Sequence, residues 1–145
     1  MLGGKYSYKP SQGHRSGLED KIAEQIKASG MQEVYEKSYL PYVIPASNHK
    51  YTPDFILANG VIIEAKGLFE RADRQKHLKI KEQYPNLDIR FVFQNPHNKI
   101  TKGSKTTYAD WCIKNGYQYA TKLIPALWFK EKKKSTSGLI AKEKK

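Results

Sequence analysis

Cysteine occurs once in the chain, as Cys112, which excludes an internal disulfide framework and a cysteine-based zinc site. A reducing cytoplasm fits that usage. No run of about eighteen apolar residues is present, and no helical pattern sets a wide apolar face against a basic one, so neither a spanning helix nor a surface-bound one is expected. The opening MLGGKYSYKP lacks the apolar centre of a signal peptide, so export is not expected. The four histidines, His14, His49, His77 and His97, form no metal-binding pair at helical spacing, which argues against a zinc or histidine-based site. His77 is expected on a helix surface or beside a phosphate, and Cys112, next to Trp111, as a core thiol. Acidic residues are scarce: 14 stand against 26 lysines and arginines, a formal net charge of +12.

That excess is more than solubility needs, and it creates a potential that draws in polyanions at a rate that falls with salt. Nucleic acid is the leading partner. The 145 residues suffice for one domain with its own core, and 39% hydrophobic with 12% aromatic residues gives that core its material.

The organisation follows from local patterns. Residues 1–14 and 131–145 are basic, low in complexity and without period, and are expected as flexible arms around a domain spanning 15–130. Ser16-Gly17-Leu18-Glu19 has capping-box spacing, Leu18, Ile22 and Ile26 recur every four residues, and Gly30 ends the pattern. From Val34 to Ile44 the chain suits an extended arm or edge strand, interrupted by Pro41 and ended by Pro45. A hairpin around Asn59-Gly60, a polar helix from about Phe69 to Tyr84, an apolar central strand at Ile89–Phe93 and a helix over Thr107–Asn115 follow. The final segment, Tyr117 to Phe129, packs afterwards. This order predicts an α/β fold, a mixed sheet flanked by helices.

The hairpin YTPDFILANGVIIEAKG, residues 51–67, is strongly apolar yet carries Asp54, Glu64 and Lys66. A two-residue turn would send Asp54 and Glu64 to different faces. A three-residue loop with Gly60 in the left-handed position pairs Leu57 with Val61 and Ile56 with Ile62, and sets Asp54 across from Glu64 with Lys66 on the same face. Opposed carboxylates repel; a divalent cation between them turns repulsion into ligation. Hard oxygen donors on a basic protein point to magnesium, with a lysine beside it to steady the attacking water and the phosphoryl charge. The bland reading makes Asp54 a turn residue and Glu64 and Lys66 a solvated pair. Glu19 likewise is open between capping the first helix and presenting a second carboxylate to the hairpin.

At these residues the chain resembles the phage endonuclease I family, Holliday-junction resolving enzymes of the PD-(D/E)xK nuclease class. The stretches that carry the resemblance are RSGLEDK (15–21), PYVIPASNH (41–49), YTPDF (51–55), EAKGLFE (64–70), DRQKHL (73–78) and KLIPALW (122–128). It implies a restriction-endonuclease-like core and a catalytic set of Glu19, Asp54, Glu64 and Lys66. It also implies up to two Mg²⁺ ions, with Mn²⁺ as a substitute. Asp54 would bridge them, Glu64 and the carbonyl of Ala65 completing one site and Glu19 the other. It implies, too, a segment-swapped homodimer in which Glu19 comes from one subunit and the hairpin from the other. Pro41 and Pro45 stiffen the stretch before Ala46 and would favour such a crossing, though a stiff loop within a monomer explains them equally.

Arg15 and the helix residues Arg71, Arg74, Lys76, Lys79 and Lys81 are candidates for tracking DNA phosphates, which would position branched DNA without reading its bases. The expectation is therefore a magnesium-dependent endonuclease that resolves four-way junctions in the cytoplasm of a bacterial host. The competing class is a noncatalytic basic nucleic-acid-binding module whose carboxylates are structural.

Overall fold

The computed structural model describes residues 17–44 and 47–142. Arg15, Ser16, the arm 1–14, Pro45, Ala46 and residues 143–145 lie outside the described residues.

The described residues fold as a mixed α/β structure with two sheets and three α-helices. Helix α1 (Gly17–Ala28) buries Ile22, Ala23 and Ile26, the spacing of one helical face. It ends as the sequence indicates: the Gly30 amide donates to the Lys27 carbonyl at 3.1 Å, and Gly30 takes φ 91°, a cost only glycine escapes. Strands β1 (Ser38–Ile44) and β2 (Ser47–Tyr51) form an antiparallel ribbon, and β1 also pairs with β7 (Ile140–Ala141). Pro41 is tolerated inside β1 because β7 reaches only Ser38 and Tyr39. Beyond that point side chains replace a strand: the Tyr84 hydroxyl donates to the Pro41 carbonyl, and the Gln83 amide both accepts from and donates to the Val43 backbone, at 2.8 and 2.7 Å.

The second sheet has the order β3-β4-β5-β6, with β3 (Phe55–Ile56) antiparallel to β4 (Ile62–Lys66), and β5 (Ile89–Phe93) and β6 (Tyr119–Thr121) parallel to their neighbours. The hairpin takes the three-residue register. Ile56 pairs with Ile62, the Leu57 amide donates to the Val61 carbonyl at 2.8 Å, and Gly60 has φ 90°. Alternation along the strands then divides the core. Ile62, Phe91 and Phe93 face α2 (Arg71–Gln83), α3 (Tyr108–Asn115) and the ribbon, whereas Ile63 and Val92 face α1. Cys112 is buried in the first of these clusters, as expected of a core thiol, and its burial pushes the thiol up to about 12.

Residues 131–142 differ from the flexible tail their composition suggested. Glu131 forms a bidentate pair with the buried Arg90 guanidinium at 2.7 Å, the Lys134 amide donates to the Asn59 carbonyl at 2.6 Å, and Leu139 packs on the core before β7 joins β1. The described part of this segment is thus a strap that links the hairpin turn to the ribbon.

Candidate active site

The charged residues of the hairpin converge at the end of β4. Glu64 lies on the face shared with the ribbon and α2, and it is 3% exposed. Two donors fix one of its oxygens: the Tyr51 hydroxyl at 2.6 Å and the Asp54 amide at 2.9 Å both reach Oε2. Its other oxygen, Oε1, is 3.9 Å from Lys66 Nζ. Glu64 is therefore held with one lone-pair edge committed to the protein and the other turned toward the lysine. Burial raises its pKa, against the opposing pull of Lys66 and of these hydrogen bonds.

Asp54 immediately precedes β3, at the sheet edge, and its Oδ2 accepts from the Ala65 amide at 2.9 Å. Its carboxyl is pushed up to about 9, first by burial, then by the charges of Glu64 and Glu19, and it shares a hydrogen bond with Glu19. Such a cluster must retain a proton or take up a cation, since several buried carboxylates cannot all ionise side by side.

Glu19 reaches Asp54 from the opposite face of the sheet. It sits three and seven residues before Ile22 and Ile26 on the buried face of α1, and is itself 5% exposed. Its carboxylate thus faces the core on the side of α1 that approaches Asp54.

A residue the sequence did not single out joins them. Glu36, Glu19 and Asp54 bring carboxylate oxygens within 4.8 Å of one another. Glu36 has φ 50°, a conformation that costs a non-glycine residue roughly 1–3 kcal/mol, and its amide donates to the Asp54 carbonyl at 3.1 Å. Three oxygen donors at this separation suit a hard divalent cation that keeps part of its water shell.

Lys66 stands between Glu64 and a second acid, Asp73 on α2, whose Oδ1 is 3.4 Å from its Nζ. Lys76 lies 3.9 Å from the same Asp73 oxygen and 5.5 Å from the centre of the Tyr51 ring. Asp73 and Tyr51 both fall within stretches that carried the family resemblance, but only their long-range contacts show what they touch.

The helix cations separate in space. Lys76 borders the site, and Arg71 and Lys79 lie toward the solvent side of α2. Lys81 instead donates to the Gly116 carbonyl at 3.3 Å and sits over the Tyr117 ring at 4.5 Å. Arg74 corrects the expectation of a phosphate contact: it is 6% exposed, and its Nη1 donates to the carbonyls of Phe69 at 2.6 Å and Ile100 at 3.2 Å. His77 is corrected in the same way. It is fully buried, edge-on to Tyr51 and Phe91, because the inward stripe of α2 is Arg74, His77 and Ile80.

No helix among the described residues is long and apolar enough to cross a membrane. The family model described as phage endonuclease I matches residues 3–145. Endonuclease I of Escherichia phage T7 is 57% identical over 120 residues, 83% of this chain and 80% of the relative. Endodeoxyribonuclease 1 of Enterobacteria phage T3 is 51% identical over 135 residues, 92% of this chain and 89% of the relative.

Proposed function

The chain belongs to the phage endonuclease I family, and from that premise we propose that it is a magnesium-dependent endodeoxyribonuclease that resolves four-way and related branched DNA. The observation that carries this reading is the convergence of Glu19, Asp54, Glu64 and Lys66 at the end of one β-hairpin, with Asp54 as the group that both glutamates approach.

In this reading Asp54, Glu64, the Ala65 carbonyl and Glu19 would hold up to two ions, with Glu36 close enough to Glu19 and Asp54 to share that load. Bound Mg²⁺, or Mn²⁺ in its place, supplies charge neutralisation at the phosphoryl oxygens and an acidified water. The remaining work falls to the chain itself. Tyr51 and the Asp54 amide hold Glu64 in one orientation, and the Ala65 amide does the same for Asp54. Lys66, braced by Asp73, offers its ammonium to the water or to the developing charge on phosphorus. Lys76, with Arg71 and Lys79 on the same helix, would position phosphates beside the site.

A segment-swapped homodimer belongs to the same proposal. Within the described chain, α1 and the hairpin already bring Glu19 to Asp54; exchange of α1 between two copies would rebuild the same contact across an interface. Two sites in one rigid assembly would cut paired strands of a junction, in the cytoplasm of an infected bacterium.

The test is incubation of the protein with four-way, three-way, mismatched and linear DNA, with and without Mg²⁺. Cleavage that needs the ion and favours the branched substrates supports the proposal. Binding without cleavage of any branched substrate would instead favour a noncatalytic module.

A further inference from the structure

A second basic surface lies beside the catalytic strand, made of residues the catalytic reading does not use. The parallel strands β4 and β5 end together, the Gln94 amide donating to the Lys66 carbonyl at 3.0 Å. Loops that leave the same end of parallel strands line one edge of a sheet, where ligands of α/β folds gather. Here the two loops are Gly67–Glu70 and the segment 94–107. Between them lies a groove of about 550 Å³ whose lining includes Leu68, Lys99, Lys102, Lys105 and Tyr108.

The lysine-bearing segment is built rather than loose. Lys99 bridges to Thr107, the Ile100 amide donates to the Thr106 carbonyl at 2.8 Å, and the Ser104 amide donates to the Thr101 carbonyl at 3.1 Å. Gly103 supplies the positive φ, 84°, at the tip. The buried Arg74 guanidinium then ties this hairpin to the segment after Lys66 through the carbonyls of Ile100 and Phe69. All three lysines are exposed, and among the described residues none of them forms an ion pair with an acid. Facing them, two residues beyond Lys66, Leu68 is 67% exposed. An apolar side chain beside a row of cations matches a nucleic-acid strand whose phosphates meet the cations while a base that has lost its stacking partner covers the leucine.

We propose that Lys99, Lys102 and Lys105 hold the backbone of the DNA strand next to the scissile phosphate, and that Leu68 packs against an unstacked base at the branch, making this groove a determinant of branched over linear DNA. The inference rests on the endonuclease reading and extends it. It assigns to Arg74 a positioning role, holding the clamp at a fixed distance from Lys66.

Binding in Ca²⁺, followed by fluorescence anisotropy across a salt titration on a four-way junction and a linear duplex of the same sequence, separates the two parts. Lys99→Ser/Lys102→Ser/Lys105→Ser should lower the salt slope on both substrates, by roughly 0.7–0.9 for each phosphate left without its lysine. Lys102→Glu alone should move it the same way, which guards against a fold defect peculiar to the triple variant. Leu68→Ala should keep the salt slope and the duplex affinity, lose junction affinity by roughly tenfold, and abolish the fluorescence change of 2-aminopurine placed at the branch. Unchanged salt slopes in both lysine variants, or a Leu68→Ala loss equal on the two substrates, would overturn the inference while leaving the endonuclease reading intact. Failure of the intact protein to bind either DNA would overturn both.

Discussion

The phenol of Tyr51, the last residue of β2, donates to Oε2 of Glu64 on β4 at 2.6 Å, so that one side chain of the ribbon holds a carboxylate of the other sheet. Both groups are buried, and a hydrogen bond to a buried charged acceptor contributes more than a neutral one. Tyr51→Phe keeps the ring packed against His77 but frees Oε2 from one of its two donors. The expected outcome is a loss of about 1–2 kcal/mol in stability and a rise in the Mg²⁺ concentration that gives half-maximal cleavage. Denaturant unfolding and a metal titration of the cleavage rate read the two effects separately.

Asp54 makes the metal-free protein sensitive to alkali. Its carboxyl moves from 3.8 up to about 9, through burial and then the nearby Glu64 and Glu19. The folded state therefore keeps a proton that the unfolded chain has already released over that interval. Stability from this group is complete below the unfolded value and is lost as pH rises toward the folded one. In thermal melts without divalent ions, the wild-type chain should lose more stability between pH 5 and pH 8 than Asp54→Asn does. Added Mg²⁺ should reduce the difference, because a cation replaces the proton.

Gly60 is required twice. Its φ of 90° is strained for any other residue, and an added Cβ would collide with the backbone carbonyl of Lys134 in the strap. Gly60→Ala should cost at least about 2 kcal/mol, seen as a lower urea midpoint with an unchanged slope. It should also release the strap, so that limited proteolysis cuts within 132–138 before the core.

Much of the site was legible because it violated the pattern around it. Three charges at the ends of an apolar hairpin asked for a reason, and the left-handed preference of Gly60 with strand alternation fixed which of them share a face. Glu36 and Tyr51 were not legible: each acts through contacts made by folding, Glu36 in a left-handed turn and Tyr51 across two sheets. Arg74 and His77 were misread for a different reason. The buried stripe of α2 is mostly polar, so its inward residues look like surface residues until the carbonyls of Phe69 and Ile100 and the ring of Tyr51 surround them. The strap after Glu131 was concealed by its lysines, since what holds it is ion pairs from Glu131 to Arg90 and from Lys134 to Asp88, backbone hydrogen bonds and Leu139.

The central claim is that Asp54, Glu64 and Lys66 act together on a metal-bound phosphodiester. Its most direct test is cleavage of a four-way junction in Mg²⁺ by Asp54→Ala and Lys66→Ala, alongside junction binding in Ca²⁺. Both variants should bind with affinity close to that of the intact chain and fail to cut; cleavage at the intact rate by both would contradict the claim.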